Sequence, residues 1–87
     1  KIIHIIYYNH TLNGDGVVYK RIYELRTDND LKQREIAEIL NCSQRVYSNY
    51  ERGDLDIPTE ILIKLSHYYN VSTDYILEIT DKKDINQ

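Results

Sequence analysis

Two short helical patterns separated by only three residues lie in the middle of the chain, and this arrangement limits the possible folds more than any other feature. Gln33–Leu40 and Gln44–Arg52 both place apolar residues at helical spacing, and residues 41–43, Asn-Cys-Ser, lie between them. So short a connection makes the two helices cross at a steep angle, and Ala37 is small enough to let their backbones approach. The sequence therefore predicts a helix-turn-helix.

The residues around this turn are suited to ending one helix and starting the next. Asn41 is among the few residues that tolerate a left-handed backbone, so it can end the first helix, and Ser43 is a good N-cap for the second. Gly53 closes the second helix. Cys42, the single cysteine, falls where the turn needs an apolar side chain and has no second cysteine for a disulfide or a zinc site. We therefore expect Cys42 to be a buried structural thiol rather than a reactive one.

The segment before this motif changes from strand-like to helical. Residues 1–8 are apolar, β-branched and aromatic and are followed by turn residues, which predicts an extended or β segment over residues 1–16. From Val17 onward the apolar spacing is that of a helix, which should end near Thr27. The inward face of this helix is formed by Val18, Ile22 and Leu25.

Two further helices are predicted after the motif. Pro58 starts one that ends near residue 70, and Ser72 or Thr73 caps another that ends near residue 79. Residues 80–87 are polar and mixed in charge, so we expect a frayed tail. The predicted fold is thus an all-α, five-helix domain over residues 17–79, preceded by the extended segment and followed by the tail.

Acidic residues are concentrated in the C-terminal third of the chain. The net charge is -3, from 11 basic and 14 acidic residues. Residues 19–53 carry seven basic and six acidic side chains, whereas residues 54–87 carry three lysines and seven acidic side chains. A negative net charge is unusual for a protein that binds nucleic acid, but this distribution permits DNA binding through the middle of the chain.

If the apolar side chains of the second motif helix face inward, four polar side chains lie together on its outer face. These are Gln44, Arg45, Ser48 and Asn49. Arginine can pair with O6 and N7 of guanine, and asparagine or glutamine with N6 and N7 of adenine, so this face is suited to reading base edges in a major groove. A helix face that is merely solvated would have the same composition.

Several stretches of the sequence closely resemble one family. A glutamine at the start of the motif, an alanine four residues later, a serine at the turn and Tyr-Glu-Arg-Gly at the end coincide with the Cro and phage-repressor type of helix-turn-helix, often called the xenobiotic response element family. The resemblance covers about residues 19–79, and the matching stretches are 21–26, 33–40, 43–53 and 71–77. It implies a five-helix repressor-type domain and a transcriptional regulator, a repressor, that binds double-stranded DNA sequence-specifically.

The resemblance also implies roles for individual residues on DNA. Gln33 corresponds to the glutamine that, together with the helix N-terminus, holds a DNA phosphate, and Ser43 would also lie near the DNA backbone. The helix spanning residues 44–52 corresponds to the recognition helix in the major groove. Its base-reading positions correspond to Gln44, Arg45, Ser48 and Asn49.

One pair has a structural role in the same family. Arg26 and Glu51 match residues that form a largely buried salt bridge in some members, and we expect them to be in contact because a lone buried charge would be costly. Two positions depart from the family pattern, since Asn41 replaces the usual glycine and Cys42 the usual valine. Neither departure conflicts with the predicted fold, and residues 1–16 lie outside the pattern.

A homodimer on DNA is expected, because one short recognition helix reads only a few base pairs. The contact between copies could come from the apolar residues 1–16 or from the C-terminal helices, or residues 1–16 could pack on their own domain. A second hypothesis is a protein-binding helix-turn-helix module, such as an antitoxin that binds a toxin, and the acidic C-terminal third is compatible with it.

An enzyme is the least supported class of protein. Asp54 and Asp56 have no nucleophile, histidine or metal-ligand partner in the sequence pattern, so exposed loop acids explain them. Residues 14–16, Gly-Asp-Gly, are too few for a phosphate-binding loop, and a hairpin turn explains them.

No metal, cofactor or membrane partner is predicted. Metal-ligand spacing is absent from the three histidines, His4, His10 and His67. No apolar run approaches the roughly 18 residues that a membrane span needs, and no signal-peptide pattern opens the chain. We therefore expect a soluble protein of the cytoplasm.

Overall fold

The computed structural model describes residues 11–13 and 16–85 of the chain. The strand predicted within residues 1–8 lies outside these described residues. Two short strands are followed by five helices in the part that is described. In chain order the elements are β1 (Thr11–Asn13), β2 (Gly16–Val18), α1 (Lys20–Asp28), α2 (Gln33–Leu40), α3 (Gln44–Arg52), α4 (Thr59–Tyr69) and α5 (Thr73–Ile76).

The strands β1 and β2 pair antiparallel ahead of the helices. Asn13 lies opposite Gly16, and Thr11 lies opposite Val18. This pairing displaces the start of α1, which was predicted at Val17 and lies at Lys20. Val17 and Val18 belong to β2 because β-branched side chains suit an extended backbone, and Val18 therefore does not share the inward face of α1.

The motif helices α2 and α3 have the bounds that the sequence predicts, and their ends are formed as expected. Asn41 ends α2 with φ of 60°, in the left-handed region. The Ser43 hydroxyl accepts a hydrogen bond from the Val46 N–H at 3.1 Å and so caps α3. Gly53 ends α3 with φ of 80°, a conformation that glycine adopts without steric cost.

The two C-terminal helices are also present, and the second is shorter than predicted. Asn70 ends α4 with φ of 57°, and the Ser72 hydroxyl caps α5 by accepting from the Tyr75 N–H at 2.9 Å. α5 ends at Ile76 rather than near residue 79. Glu78 has φ of 63°, so the backbone has already left the helical conformation there.

The polar tail lies against the domain over part of its length, where the sequence suggested fraying. The Arg21 guanidinium donates to the Tyr75 and Thr80 carbonyls at 2.7 and 2.6 Å and to the Asp81 carboxylate at 2.7 Å. The Ser72 N–H donates to the Lys83 carbonyl at 2.8 Å. These bonds connect residues far apart in sequence, so no local pattern could predict them.

One apolar core joins the helices. Its members are buried side chains from α1 to α5 and from the turn before α5. They are Ile22, Leu25, Ile36, Ala37, Leu40, Tyr47, Tyr50, Ile61, Leu65, Val71 and Ile76. Because α2 contributes Ile36, Ala37 and Leu40, and α3 contributes the two tyrosines, burial of these residues determines which side of each motif helix faces solvent.

Candidate nucleic-acid interface

The outer face of α3 carries the four polar side chains that the sequence placed there. Gln44 and Arg45 are exposed, while Ser48 and Asn49 are half-buried. They occupy the side of the helix opposite to Tyr47 and Tyr50, which are buried. α3 therefore presents these side chains outward while its tyrosines anchor it to the core.

A fifth side chain belongs to this face and was not predicted. Arg52 donates through one terminal nitrogen to the Ser48 hydroxyl at 2.7 Å and through the other to the Asn49 amide oxygen. Its Nε donates to the Asp54 carboxylate at 3.0 Å. Residues three and four apart on a helix are neighbours, so the spacing of Arg52 from Asn49 and Ser48 was the signal that could have identified it.

Beneath this face, the Glu51 carboxylate is buried and paired with Arg26. Arg26 Nε donates to Glu51 Oε2 at 2.6 Å, and Arg26 Nη2 donates to Glu51 Oε1 at 3.1 Å. The side chains are only 12% and 6% exposed, respectively. The contact expected between α1 and α3 is thus a two-point ion pair with little access to water.

Gln33 and Tyr47 also donate to this carboxylate. Gln33 Nε2 lies 3.1 Å from Glu51 Oε1, and the Tyr47 hydroxyl lies 2.6 Å from Glu51 Oε2. Glu51, near the end of α3, therefore accepts four hydrogen bonds and links α3 to α1 and to the start of α2. Neither the Gln33 nor the Tyr47 contact was predicted, because the sequence indicated only the opposite charge of Arg26.

The four hydrogen bonds keep the carboxylate ionised despite its burial. Burial by itself raises the pKa of Glu51, but the hydrogen bonds from Arg26, Tyr47 and Gln33 outweigh it and hold the pKa below its ordinary value. Burial and the hydrogen bond to Glu51 raise the pKa of Tyr47, so its hydroxyl remains a donor. Arg26 and Glu51 are therefore both charged, and the hydrogen bonds from Gln33 and Tyr47 hold the Glu51 carboxylate in place.

The start of α2 adds cationic side chains next to Gln33. Lys32 and Arg34 are exposed on either side of Gln33. The Glu35 carboxylate accepts from the Lys32 N–H at 2.7 Å and so occupies one of the N–H groups at this helix end. Ser43, expected near the DNA backbone, is exposed and uses its hydroxyl oxygen to cap α3.

Residues 11–13 and 16–85 contain no group of histidine, cysteine, aspartate or glutamate side chains arranged to hold a metal ion. Within the same residues, no helix has the length and apolar character needed to cross a membrane. Cys42, which was expected to be buried, is half-buried against the core, and burial raises the pKa of its thiol.

Two short helices joined by a tight turn, with a polar outer face on the second helix, define a helix-turn-helix protein. A family model described as helix-turn-helix matches residues 22–76. The chain belongs to this family, and its motif is of the Cro and phage-repressor type, also called the xenobiotic response element type.

Three curated relatives from bacteria are informative. The chain is 46% identical over 68 residues to the HTH-type transcriptional regulator ImmR of Bacillus subtilis (strain 168), covering 75% of this chain and 54% of ImmR. It is 34% identical over 65 residues to the uncharacterised HTH-type transcriptional regulator YobD of the same organism, covering 75% of this chain and 58% of YobD. It is 33% identical over 70 residues to the antitoxin PezA of Streptococcus pneumoniae serotype 4, covering 80% of this chain and 43% of PezA.

The chain spans about half the length of the curated relatives that it matches. No solved structure gives a significant match to the chain.

Proposed function

We propose that the chain binds double-stranded DNA sequence-specifically as a transcriptional regulator, acting as a repressor, with α3 in the major groove. The observation that carries this proposal is the outward position of Gln44, Arg45, Ser48 and Asn49 on a helix whose opposite side is fixed in the core. A helix with base-reading side chains on one side and rigid support on the other is what direct readout requires. The names of ImmR and YobD, both HTH-type transcriptional regulators, support the same proposal.

Arg45 and Gln44 are the base-reading side chains nearest the start of α3. Both are exposed, and within residues 11–13 and 16–85 neither side chain is hydrogen-bonded to another residue. Arg45 has the donor geometry to bind guanine at two points, and Gln44 can bind adenine in the same way. We therefore assign sequence preference mainly to these two residues and to Asn49.

Gln33 is suited to a phosphate rather than to a base. A carboxylate has no donor, so the contact with Glu51 requires that the Gln33 amide nitrogen face it. That nitrogen carries two hydrogens, and the second can be donated to a DNA phosphate. Glu51 thereby holds Gln33 at the start of α2, where Lys32 and Arg34 add positive charge.

Replacing Arg45 with alanine is expected to cost about 1–3 kcal/mol of binding free energy on the preferred site and to relax selectivity at one base pair. Replacing Gln33 with alanine should weaken binding to all sequences nearly alike, because a phosphate contact reads no base. Arg45→Ala also removes a cation, and the loss of a phosphate-neutralising role at Arg45 would make the dependence of log affinity on log salt concentration shallower by about one unit. Gln33→Ala should leave that slope unchanged.

Titrations of both variants on matched and scrambled DNA, at two salt concentrations, measure these effects. The exposed cation Lys82, which lies outside α2 and α3, provides a matched control as Lys82→Ala. The proposal is contradicted if the wild-type chain prefers no DNA sequence and Arg45→Ala binds as the wild type does.

We also propose that the chain binds DNA as a homodimer. α3 has nine residues, so one copy reaches only a few base pairs, and two copies related by a two-fold axis would read half-sites about one helical turn apart. A selected DNA site with an inverted repeat, bound by two copies, would support the proposal. A single unrepeated motif bound by one copy would contradict it.

A second candidate function is that of an antitoxin, which binds a protein. The 33% identity to the antitoxin PezA favours it, as does the acidic C-terminal third of the chain. The two functions are compatible in one protein. A toxin encoded next to this chain, and a stable complex of the two purified proteins, would support this second function.

A further inference from the structure

Arg52, at the end of α3, reaches back along the helix to two of the proposed base-reading side chains. One terminal nitrogen donates to the Ser48 hydroxyl at 2.7 Å, and the other donates to the Asn49 amide oxygen. Ser48 and Asn49 are half-buried, while the Arg52 side chain is 57% exposed. The rigid fork of a guanidinium can hold both side chains at once.

This contact fixes the orientation of the Asn49 amide. A guanidinium carries only donors, so the atom of Asn49 that faces Arg52 must be the oxygen, and the amino group must point away from it. Ser48 likewise uses its oxygen as the acceptor, which leaves its hydroxyl hydrogen to be donated elsewhere. Both side chains therefore have a donor left for DNA.

The turn after α3 holds Arg52 in this position. Arg52 Nε donates to the Asp54 carboxylate at 3.0 Å. The Asp54 N–H donates to the Asn49 carbonyl at 2.9 Å, and the Gly53 N–H donates to the Tyr50 carbonyl at 3.2 Å. This is the bond pattern of a Schellman turn, with Gly53 in the left-handed conformation. The backbone thus places the Asp54 carboxylate beside Arg52 before any DNA is bound.

The orientation of Asn49 determines which base it can read. Binding adenine at two points requires an amide oxygen that accepts from N6 and an amino group that donates to N7. The Asn49 oxygen is occupied by Arg52, and a second donor approaching that oxygen would also approach the positive guanidinium. Guanine presents only acceptors, N7 and O6, on its major-groove edge, and these match the donors that remain.

We propose that Arg52, held by Asp54, is a specificity-determining positioning residue that makes Asn49 a donor and so selects guanine over adenine at the base pair that Asn49 contacts. This inference rests on the proposed function, because it assumes that α3 lies in the major groove. It adds a preference for guanine, which the Asn49 amide alone would not give because a free asparagine amide matches adenine.

The test is selection of bound DNA from a random-sequence pool by the wild-type chain, Asn49→Ala and Arg52→Ala. Asn49→Ala identifies the base pair, since preference relaxes where the Asn49 contact is lost. At that pair the wild type should prefer guanine over adenine by at least about fivefold, the lower end of what a good base contact gives. Arg52→Ala releases the Asn49 oxygen, so the preference at the same pair should change to adenine.

Arg34→Ala is the matched control, because it removes an exposed arginine next to Gln33 that makes none of these contacts. It should weaken binding through the lost charge and leave the preference for guanine unchanged. Thermal unfolding checks that Arg52→Ala remains folded, as expected for a side chain more than half exposed.

The outcomes separate this inference from the proposed function. A wild-type chain that enriches no motif overturns both. If the wild-type chain does enrich a motif, any of three results would overturn the inference alone. The first is a wild-type preference for adenine at the base pair that Asn49 contacts, the second is that Asn49→Ala relaxes the preference at no position, and the third is that Arg52→Ala keeps the preference for guanine.

Discussion

Replacing Glu51 with alanine is expected to lower the free energy of unfolding by about 3–5 kcal/mol, the usual cost of removing one partner of a buried ion pair. Arg26 would remain nearly buried, with its hydrogen bond to the Leu31 carbonyl at 2.9 Å but without the carboxylate that neutralises it. The Tyr47 hydroxyl would lose its acceptor in the core. Asp54→Ala, which removes the carboxylate of the exposed pair that Asp54 forms with Arg52, should lower the free energy of unfolding by less than about 1 kcal/mol.

Urea denaturation of the wild type, Glu51→Ala and Asp54→Ala measures this difference between a buried and an exposed carboxylate. A double variant that replaces Arg26 with methionine and Glu51 with leucine should lose less stability than Glu51→Ala alone, because it leaves no buried charge. If Glu51→Ala costs no more than Asp54→Ala, the ion pair does not stabilise the fold as described.

The depressed pKa of Glu51 gives the same pair a pH dependence. Because the pKa is lower in the folded chain than in the unfolded chain, the stabilisation is fully present above the ordinary value of 4.5. It is lost as the pH falls through the lower folded pKa. Glu51→Gln, which cannot ionise, should therefore show a weaker loss of stability in acid than the wild type does.

Replacing Tyr47 with alanine is expected to cost about 3–5 kcal/mol of stability, the range for deleting a buried aromatic ring. Tyr47 is 0% exposed and packs edge-on against Tyr50, with ring centroids 6.4 Å apart. A domain of this size has roughly 5–15 kcal/mol of stability in total, so the alanine variant should be unfolded to a measurable extent at moderate temperature. Loss of DNA binding should follow from the loss of fold.

Tyr47→Phe separates the ring from the hydroxyl. It keeps the packing and removes one donor to Glu51, which should cost about 1.5–3 kcal/mol because the acceptor is charged. Thermal or urea unfolding of both variants gives the comparison. Equal losses for alanine and phenylalanine would contradict the assignment of most of the Tyr47 contribution to packing.

The motif itself was predictable because its signals are local. Asn41 and Gly53 in the left-handed conformation and Ser43 as an N-cap determine where α2 and α3 end and begin. The inward and outward faces of α3 follow from the spacing of Tyr47 and Tyr50. These features depend on residues within one or two turns of each other.

The remaining features depend on contacts between distant residues, which a local pattern does not contain. The hydrogen bonds from Arg21 to the Thr80 carbonyl and Asp81 connect α1 to the tail and could not be inferred from spacing. The convergence of Gln33 and Tyr47 on Glu51 likewise appears only when the helices are packed. The start of α1 was placed too early because Val18 suits a strand and a helix face equally well by apolar spacing.

Selection of bound DNA by the wild-type chain and by a triple variant, Gln44→Ala with Arg45→Ala and Asn49→Ala, is the most direct measurement of the central claim that the outer face of α3 reads DNA bases. All three substitutions lie outside the core, so thermal unfolding should show that the variant is folded. The wild type is predicted to enrich one motif from a random pool, and the folded variant is predicted to enrich none. The claim is contradicted if the wild type enriches no motif, or if the variant enriches the same motif with the same preference.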